Sequence, residues 1–343
     1  MKKYVVDIVR KKENNALSKA KEDVTFFLKQ EQYLKISLNI FRHRYEKIFT
    51  KHIINSKFKD VKRNDVLVVQ YPTYLGAYFE NNLNQILQSR GVKIIGLIHD
   101  LDTLRYPLAD ATQQSIKFRN EIDRLNKYNI VIASNDVMKD FLIANGLTAE
   151  VITLGIFDYR HNIDLKSYPK KSNVLNFAGN LNKSQFLYSF SENIETKLKL
   201  FGNYDHTRKL PVHADYQGVF KPEELIKELN QGYGLVWDGL SAHRIEGPFG
   251  DYLRYNNPHK TSLYLSSGLP VVIWKEAALA DFIKENHVGI LIASLDDVDK
   301  ELGKVSDAEY QIMAKNSYNI ALKLKKGFYI KSAVKDAVHL LEN

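Results

Sequence analysis

Ten short, continuous apolar runs alternate along this chain with amphipathic segments, and that rhythm leaves few folds open. The runs are Tyr4 to Ile8, Val66 to Gln70, Lys93 to Ile98, Ile130 to Ala133, Val151 to Leu154, Val174 to Phe177, Lys197 to Phe201, Gly234 to Trp237, Val271 to Trp274 and Gly289 to Ile292. Most lack strict apolar/polar alternation, so both faces of each strand are expected to be covered. That pattern belongs to parallel sheets with helices on either side. The fold class expected is therefore α/β. At 343 residues the chain exceeds one ordinary domain and suits two.

The segments between the runs carry helix-end signals. Ser18 precedes Lys19 to Gln30, where Ala20, Val24 and Phe27 share a face. Asn135 is placed to cap a helix that Gly146 closes, and Pro222 suits a first helical position with Glu223 and Glu224 behind it. A further helix is expected from Pro258 to Ser267, stopping at Gly268, and the tail from Val305 reads as helical with a break at Gly327. The rhythm pauses at Asp158 to Asn173, a polar stretch with Pro169 that reads as an interdomain linker. The expected division is residues 1–157, linker 158–173, and a second domain over 174–325, with 326–343 as a last helix. Two such domains joined by one linker leave a cleft between them.

Composition excludes several function classes. The absence of cysteine removes a disulfide scaffold, thiolate zinc sites and a cysteine nucleophile. No apolar run reaches the roughly 20 residues needed to span a bilayer, and the basic N-terminus has too short an apolar stretch for a signal peptide. A cytoplasmic protein is expected. The net charge of +9 is densest between Arg42 and Arg63, where aromatic and aliphatic residues interrupt the cations. That stretch reads either as a solvated helix face or as a peripheral contact with the anionic inner face of the membrane. No zinc-finger spacing or RNP-type aromatic motif supports nucleic acid as a partner.

Ligands of open α/β sheets bind beyond the carboxyl ends of the strands, so residues just after each run are the candidates. After the first run, the polar loop containing Asn15 and Ser18 opens a helix and can face an anion, but it has no glycine and is neither a dinucleotide fingerprint nor a P-loop. After Ile98 come His99, Asp100 and Asp102, a set suited to hydrogen-bonding a sugar hydroxyl or taking its proton. Either aspartate can also be read as a helix cap. After Phe177, Gly179 permits close backbone approach, Asn180 follows, and Lys183 supplies charge. Phe220 stands just before a helix, where it can stack on a base or act as a hydrophobic staple. The richest stretch holds Tyr255, Asn256, Asn257, Lys260 and Thr261. A lysine in the first turn of a helix opposes the dipole, and it makes sense if a phosphate sits there.

These residues carry a resemblance. IHDLDTLR, VIASNDVMKDFL, NFAGNLNKS, FKPEEL, GYGLVWDG and GDYLRYNNPHKTSLYLSSGLPVVIW span nearly the whole chain. They resemble bacterial sugar-nucleotide-dependent GT-B glycosyltransferases. The nearest likeness is to the group that includes the glucosyltransferase extending GlcNAc on serine-rich repeat adhesins, with galactofuranosyltransferases of polysaccharide clusters as relatives. The resemblance implies two Rossmann-like domains facing a cleft, with a C-terminal helix crossing back to the N-terminal domain. It implies a UDP-sugar donor, UDP-glucose or UDP-galactose/galactofuranose, and no cofactor or metal. The acceptor implied is a saccharide or a glycosylated Ser/Thr-rich protein, and the assembly a homo-oligomer.

By that likeness Phe220 lies beside the uracil, Lys183 and Lys260 contact the diphosphate, and Asn15 and Ser18 approach the donor from the first domain. The adhesin-modifying relative has Arg where this chain has Lys183. Many retaining GT-B enzymes carry a Glu pair where this chain has Asn256, Asn257, His259 and Lys260, so a Glu-pair mechanism is not implied. Asp100 is the first choice of base, with His99 and Asp102 as alternatives. The competing expectation is a non-catalytic nucleotide-sugar-binding partner of a glycosyltransferase complex.

Overall fold

A computed structural model describes residues 1–9, 16–41 and 44–342 of the chain, without the side chains of residues 16–18 and 44–46. Contacts divide it into two compact units, Met1–Gly155 with Gly327–Asn343, and Ile156–Lys326.

The first unit is built on six parallel strands, β1 (Lys3–Val9), β2 (Leu34–Asn39), β3 (Val66–Tyr71), β4 (Lys93–Ile98), β5 (Ile130–Ala133) and β6 (Glu150–Thr153). Their order is β2-β1-β3-β4-β5-β6. Every residue of β3 and β5 is buried, which explains their unbroken apolar character. The helices are α1 (Ala16–Gln30), α2 (Thr50–Lys57), α3 (Ala77–Ser89), α4 (Asp102–Arg105), α5 (Ala111–Leu125) and α6 (Asp136–Ala144). Asn135 caps α6 by accepting from the Met138 amide at 2.8 Å. The helix α1 begins at Ala16, upstream of the Ser18 start expected from the sequence.

The second unit repeats the plan with β7 (Lys170–Ala178), β8 (Lys197–Phe201), β9 (Ala214–Gly218), β10 (Gln231–Val236), β11 (Val271–Trp274) and β12 (Gly289–Ile292). All six are parallel, in the order β12-β11-β10-β7-β8-β9. Its helices are α7 (Pro222–Glu228), α8 (Pro248–Asp251), α9 (His259–Ser266), α10 (Ala280–Glu285), α11 (Val298–Gly303) and α12 (Asp307–Lys326). Gly327, with φ +71°, ends α12, and the last helix, α13 (Phe328–Glu342), belongs to the first unit. There it packs on α1, β5 and β6.

Two strands escape the sequence reading, β2 and β9, and both are sheet edges. An edge strand has one open side, and β2 and β9 are mostly exposed or half-buried, so neither carries a continuous apolar run. The polar stretch expected as a linker also differs. Its last residues form the start of β7 from Lys170. Its first residues are packed within the second unit, where Asp158, Tyr159 and His161 are buried and the Tyr159 amide donates to the Leu324 carbonyl of α12 at 3.3 Å. Lys325 adds a hydrogen bond to the Ile163 carbonyl at 3.0 Å.

Candidate functional site

In the second unit the strand order reverses between β7 and β10, so successive crossovers leave in opposite directions. A doubly wound sheet opens a ligand crevice beyond the carboxyl ends at such a point. The helix α9 begins there, with Pro258 at its N-cap and Lys260 as its second residue. The Lys260 ammonium donates to the Trp237 carbonyl, immediately after β10, at 3.1 Å. It also lies 4.4 Å from the ring centre of Phe177, near the end of β7, and 4.0 Å from an Asp238 carboxylate oxygen. A cation in the first helical turn is disfavoured by the dipole. Here a carbonyl and an aromatic face hold it at the junction of the two central strands.

Close packing fixes α9 in that position. The Tyr264 hydroxyl accepts from the Ala178 amide at 2.8 Å, tying the helix to the end of β7. Gly234 of β10 is required beneath it, since a β-carbon there would stand 2.1 Å from the Tyr264 ring. Gly202, just after β8, has φ +132°, and a β-carbon on it would meet the Gly179 carbonyl oxygen at 1.8 Å. Gly179 in turn donates to the Phe201 carbonyl at 2.9 Å. The Asn180 carbonyl accepts from the amides of Lys183 at 3.1 Å and Ser184 at 3.2 Å. This turn leaves Lys183 exposed, its ammonium unpaired among the described residues.

Phe220 is half-buried and packs edge-to-face on Phe201, with ring centres 5.8 Å apart. Asn257 and Thr261 are buried, and Tyr255 and Asn256 are half-buried. The Thr261 hydroxyl and the Asn256 side-chain oxygen have no hydrogen-bond partner among the described residues. Gly179, Phe220 and Lys260 are thus linked through Phe201 and Phe177 at the ends of β7, β8 and β10. Asn15 and the side chain of Ser18 lie outside the described residues.

The first unit presents a polar cluster after β3 and β4. His99 is buried, and its Nε2 lies 2.9 Å from the Gln70 side-chain oxygen of β3. The Asp100 carboxylate is ion-paired with Arg105. Asp102 opens α4, whose N-cap is Leu101, so neither aspartate is the N-cap residue. Burial pushes the Asp102 carboxyl up to about 6, with Glu121 and Asp100 reinforcing the shift against Arg105 and Lys117.

Glu121 of α5, absent from the sequence-derived set, organises this cluster. It is fully buried and accepts from the Tyr71 hydroxyl at 2.7 Å and from the Thr103 amide at 3.2 Å, with the Thr103 hydroxyl as a further donor. Arg124 donates to the Tyr71 hydroxyl at 3.3 Å and lies 3.5 Å from the Glu80 carboxylate. Glu80 accepts from the amide and hydroxyl of Thr73, each at 2.8 Å. Glu121 therefore connects the start of α4 to the end of β3. Replacing Glu121 by Ala strands three buried donors and is expected to cost about 2–4 kcal/mol of stability, read from the urea midpoint. An unchanged midpoint would contradict this assignment.

Among the described residues no group of three or more His, Asp or Glu side chains is placed to hold a metal ion, and no helix is long and apolar enough to cross a membrane.

Comparison with known proteins agrees with the two-unit organisation. The family model described as "Glucosyltransferase 3-like, N-terminal domain" matches residues 2–156, and its C-terminal counterpart matches residues 175–337. The beta-1,6-galactofuranosyltransferase WbbI of Escherichia coli (strain K12) is 31% identical over 81% of this chain and 80% of its own. Glucosyltransferase 3 of Streptococcus gordonii is 27% identical over 93% of both chains. Among solved structures, sucrose-phosphate synthase from Thermosynechococcus elongatus aligns over 99% of this chain and 98% of its own with a TM-score of 0.65 at 11% identity. An alpha-glucosyltransferase in complex with UDP aligns over 99% of this chain and 100% of its own, with a TM-score of 0.58 at 11% identity. The chain belongs to the glucosyltransferase 3-like family; it is a glycosyltransferase with the GT-B fold.

Proposed function

We propose that this member of the glucosyltransferase 3-like family moves a hexose from a UDP-sugar to a hydroxyl of a saccharide or of a glycosylated Ser/Thr-rich protein. The donor sugar would be glucose or galactose/galactofuranose, in keeping with the names of its two relatives. The observation that carries this reading is Lys260 in the first turn of α9, held over the junction of β7 and β10. Its ammonium and the α9 N-terminus form a positive site for the diphosphate, with Lys183 as a second cation. Phe220 supplies an apolar ring for the uracil, and the backbone at Gly179 and Asn180 runs close to the phosphates.

In the reaction the acceptor oxygen attacks the anomeric carbon, the bond from that carbon to UDP breaks, and the acceptor proton passes to a base. Charge leaving on the diphosphate is balanced by lysines and helix amides, without a metal ion. Preorganised donors of this kind supply much of the barrier reduction in transfer enzymes. For the base, Asp102 is better matched than Asp100. The Asp100 carboxylate is engaged by Arg105, whereas burial raises the Asp102 carboxyl to about 6, closer to the range suited to a general base.

The test is a panel of UDP-sugars, with released UDP measured in the presence and absence of a GlcNAc-bearing acceptor. Release with UDP-glucose or UDP-galactofuranose that rises with acceptor and survives EDTA is the expected outcome. Release that collapses on chelation removes the lysine-based account. Absence of release with every UDP-sugar removes the donor assignment.

A further inference from the structure

One surface feature of the first unit takes no part in the site described above. A 3-10 turn (Arg44–Phe49) runs directly into α2. The inner side of this segment is anchored, with Ile54 and Phe58 fully buried and the Arg90 guanidinium donating to the Phe58 carbonyl at 3.0 Å. Its outer side is not covered. Ile48 is 79% exposed and Phe49 is 56% exposed, and they are sequence neighbours. Together they form a small apolar patch, and a patch of this kind rimmed by polar residues marks a contact surface.

The same segment is strongly basic. Lys47, Lys51 and Lys57 of the turn and α2 are exposed, as are Lys59, Lys62 and Arg63 just beyond the helix, and from residue 44 to residue 63 the sequence holds two carboxylates, Glu46 and Asp60. Lys47 precedes the apolar pair, and Lys51 follows it after the buried Thr50. Local pairing does not neutralise this charge, since none of the six makes a salt bridge among the described residues.

We propose that the turn and α2 form a docking surface for an anionic lipid bilayer. Ile48 and Phe49 enter the boundary between headgroups and acyl chains, while the lysines reach the lipid phosphates through their flexible stems. The combination argues against other occupants. A nucleic acid would satisfy the cations and offer Phe49 a base to stack on, but it would leave the more exposed Ile48 in water. A second copy of the same patch would set like charges against each other. A bilayer with anionic headgroups matches both halves of the surface.

The experiment uses the full chain, sedimented with vesicles of phosphatidylcholine alone or of phosphatidylcholine and phosphatidylglycerol in equal parts. Binding is expected on the mixed vesicles, weakening about tenfold or more on phosphatidylcholine alone or in high salt. The Ile48→Ser/Phe49→Ser variant is expected to lose about tenfold in binding at an unchanged melting temperature. Should that variant melt early, Lys51→Glu/Lys57→Glu provides the second arm, expected to abolish the preference for the anionic lipid. Equal binding to both vesicle types, no binding, or wild-type binding by the double variants would overturn the proposal. So would a dimer in solution that the Ile48/Phe49 variant dissolves, which would assign the patch to a second copy. None of these readouts depends on the sugar donor, so failure here leaves the transfer reading intact.

Discussion

Replacing Lys260 by Ala is expected to lower turnover by about 100-fold or more, with a weaker affinity for UDP and little loss of fold. The size follows from where the ammonium sits. It is held by the Trp237 carbonyl and the Phe177 ring, so it costs no reorganisation to be in place when charge develops on the departing diphosphate. The substitution removes both the charge and a hydrogen bond at the switch point of the sheet. Its effect on stability is smaller, because the Trp237 side chain is separately fixed by donation to the Ser241 carbonyl at 2.9 Å. Lys183→Ala is expected to have the lesser effect of the two, since an exposed, unheld ammonium is screened by water. Steady-state rates with UDP release as the signal, paired with UDP titration, separate loss of turnover from loss of binding. A Lys260→Ala enzyme at wild-type rate would remove the phosphate assignment.

Replacing Asp102 by Asn should be at least as damaging to catalysis, by about 100- to 10,000-fold, while making the protein more stable at neutral pH. The rate of the unmodified enzyme should rise as pH passes upward through about 6, because the base must be deprotonated to act. Stability moves the opposite way. A carboxyl whose folded-state value is raised binds its proton more tightly in the folded than in the unfolded chain. That contribution is intact below the ordinary carboxyl range, near pH 4, and is lost as pH climbs through about 6. The loss is about 1–2 kcal/mol after allowance for the partial exposure of the group. Asn cannot ionise, so Asp102→Asn and the unmodified protein should melt alike at pH 4 and diverge at pH 7.5, with the variant higher. An inactive variant without the stability gain would mean that the aspartate is not buried as described. A stable, fully active variant would return the role of base to Asp100 or His99.

Parts of this molecule are legible in its sequence and others are not. The central strands are legible because burial on both faces demands unbroken apolar runs, as in β3, β5 and β11. β2 and β9 are not, since an edge strand needs only its hydrogen bonds and a partly covered face. The start of β7 was hidden for a related reason. Lys170 to Asn173 are mostly exposed or half-buried, and the strand becomes apolar only at Val174.

In the site, Lys260 announces itself by standing where the helix dipole disfavours it, whereas the close approach that demands glycine lies at Gly202, against the Gly179 carbonyl, a residue absent from the sequence-derived set. Glu121 gave no such sign on its own, because a glutamate in a helix usually faces water. Its position did hold a clue: it lies four residues before Leu125 and beside Ile122, on the inward stripe of α5. Trp237 and Phe177 were legible as strand residues, but their service to Lys260, through a carbonyl and a ring face, depends on how two distant segments meet.

The central claim is that the carboxyl ends of β7 and β10, with the first turn of α9, hold a nucleoside diphosphate. Amide hydrogen exchange with and without UDP tests it most directly. Slowed exchange concentrated at residues 178–184, 237–239 and 259–262 is the expected result. Slowing confined to other segments, or none at UDP concentrations that saturate the enzyme, would contradict it.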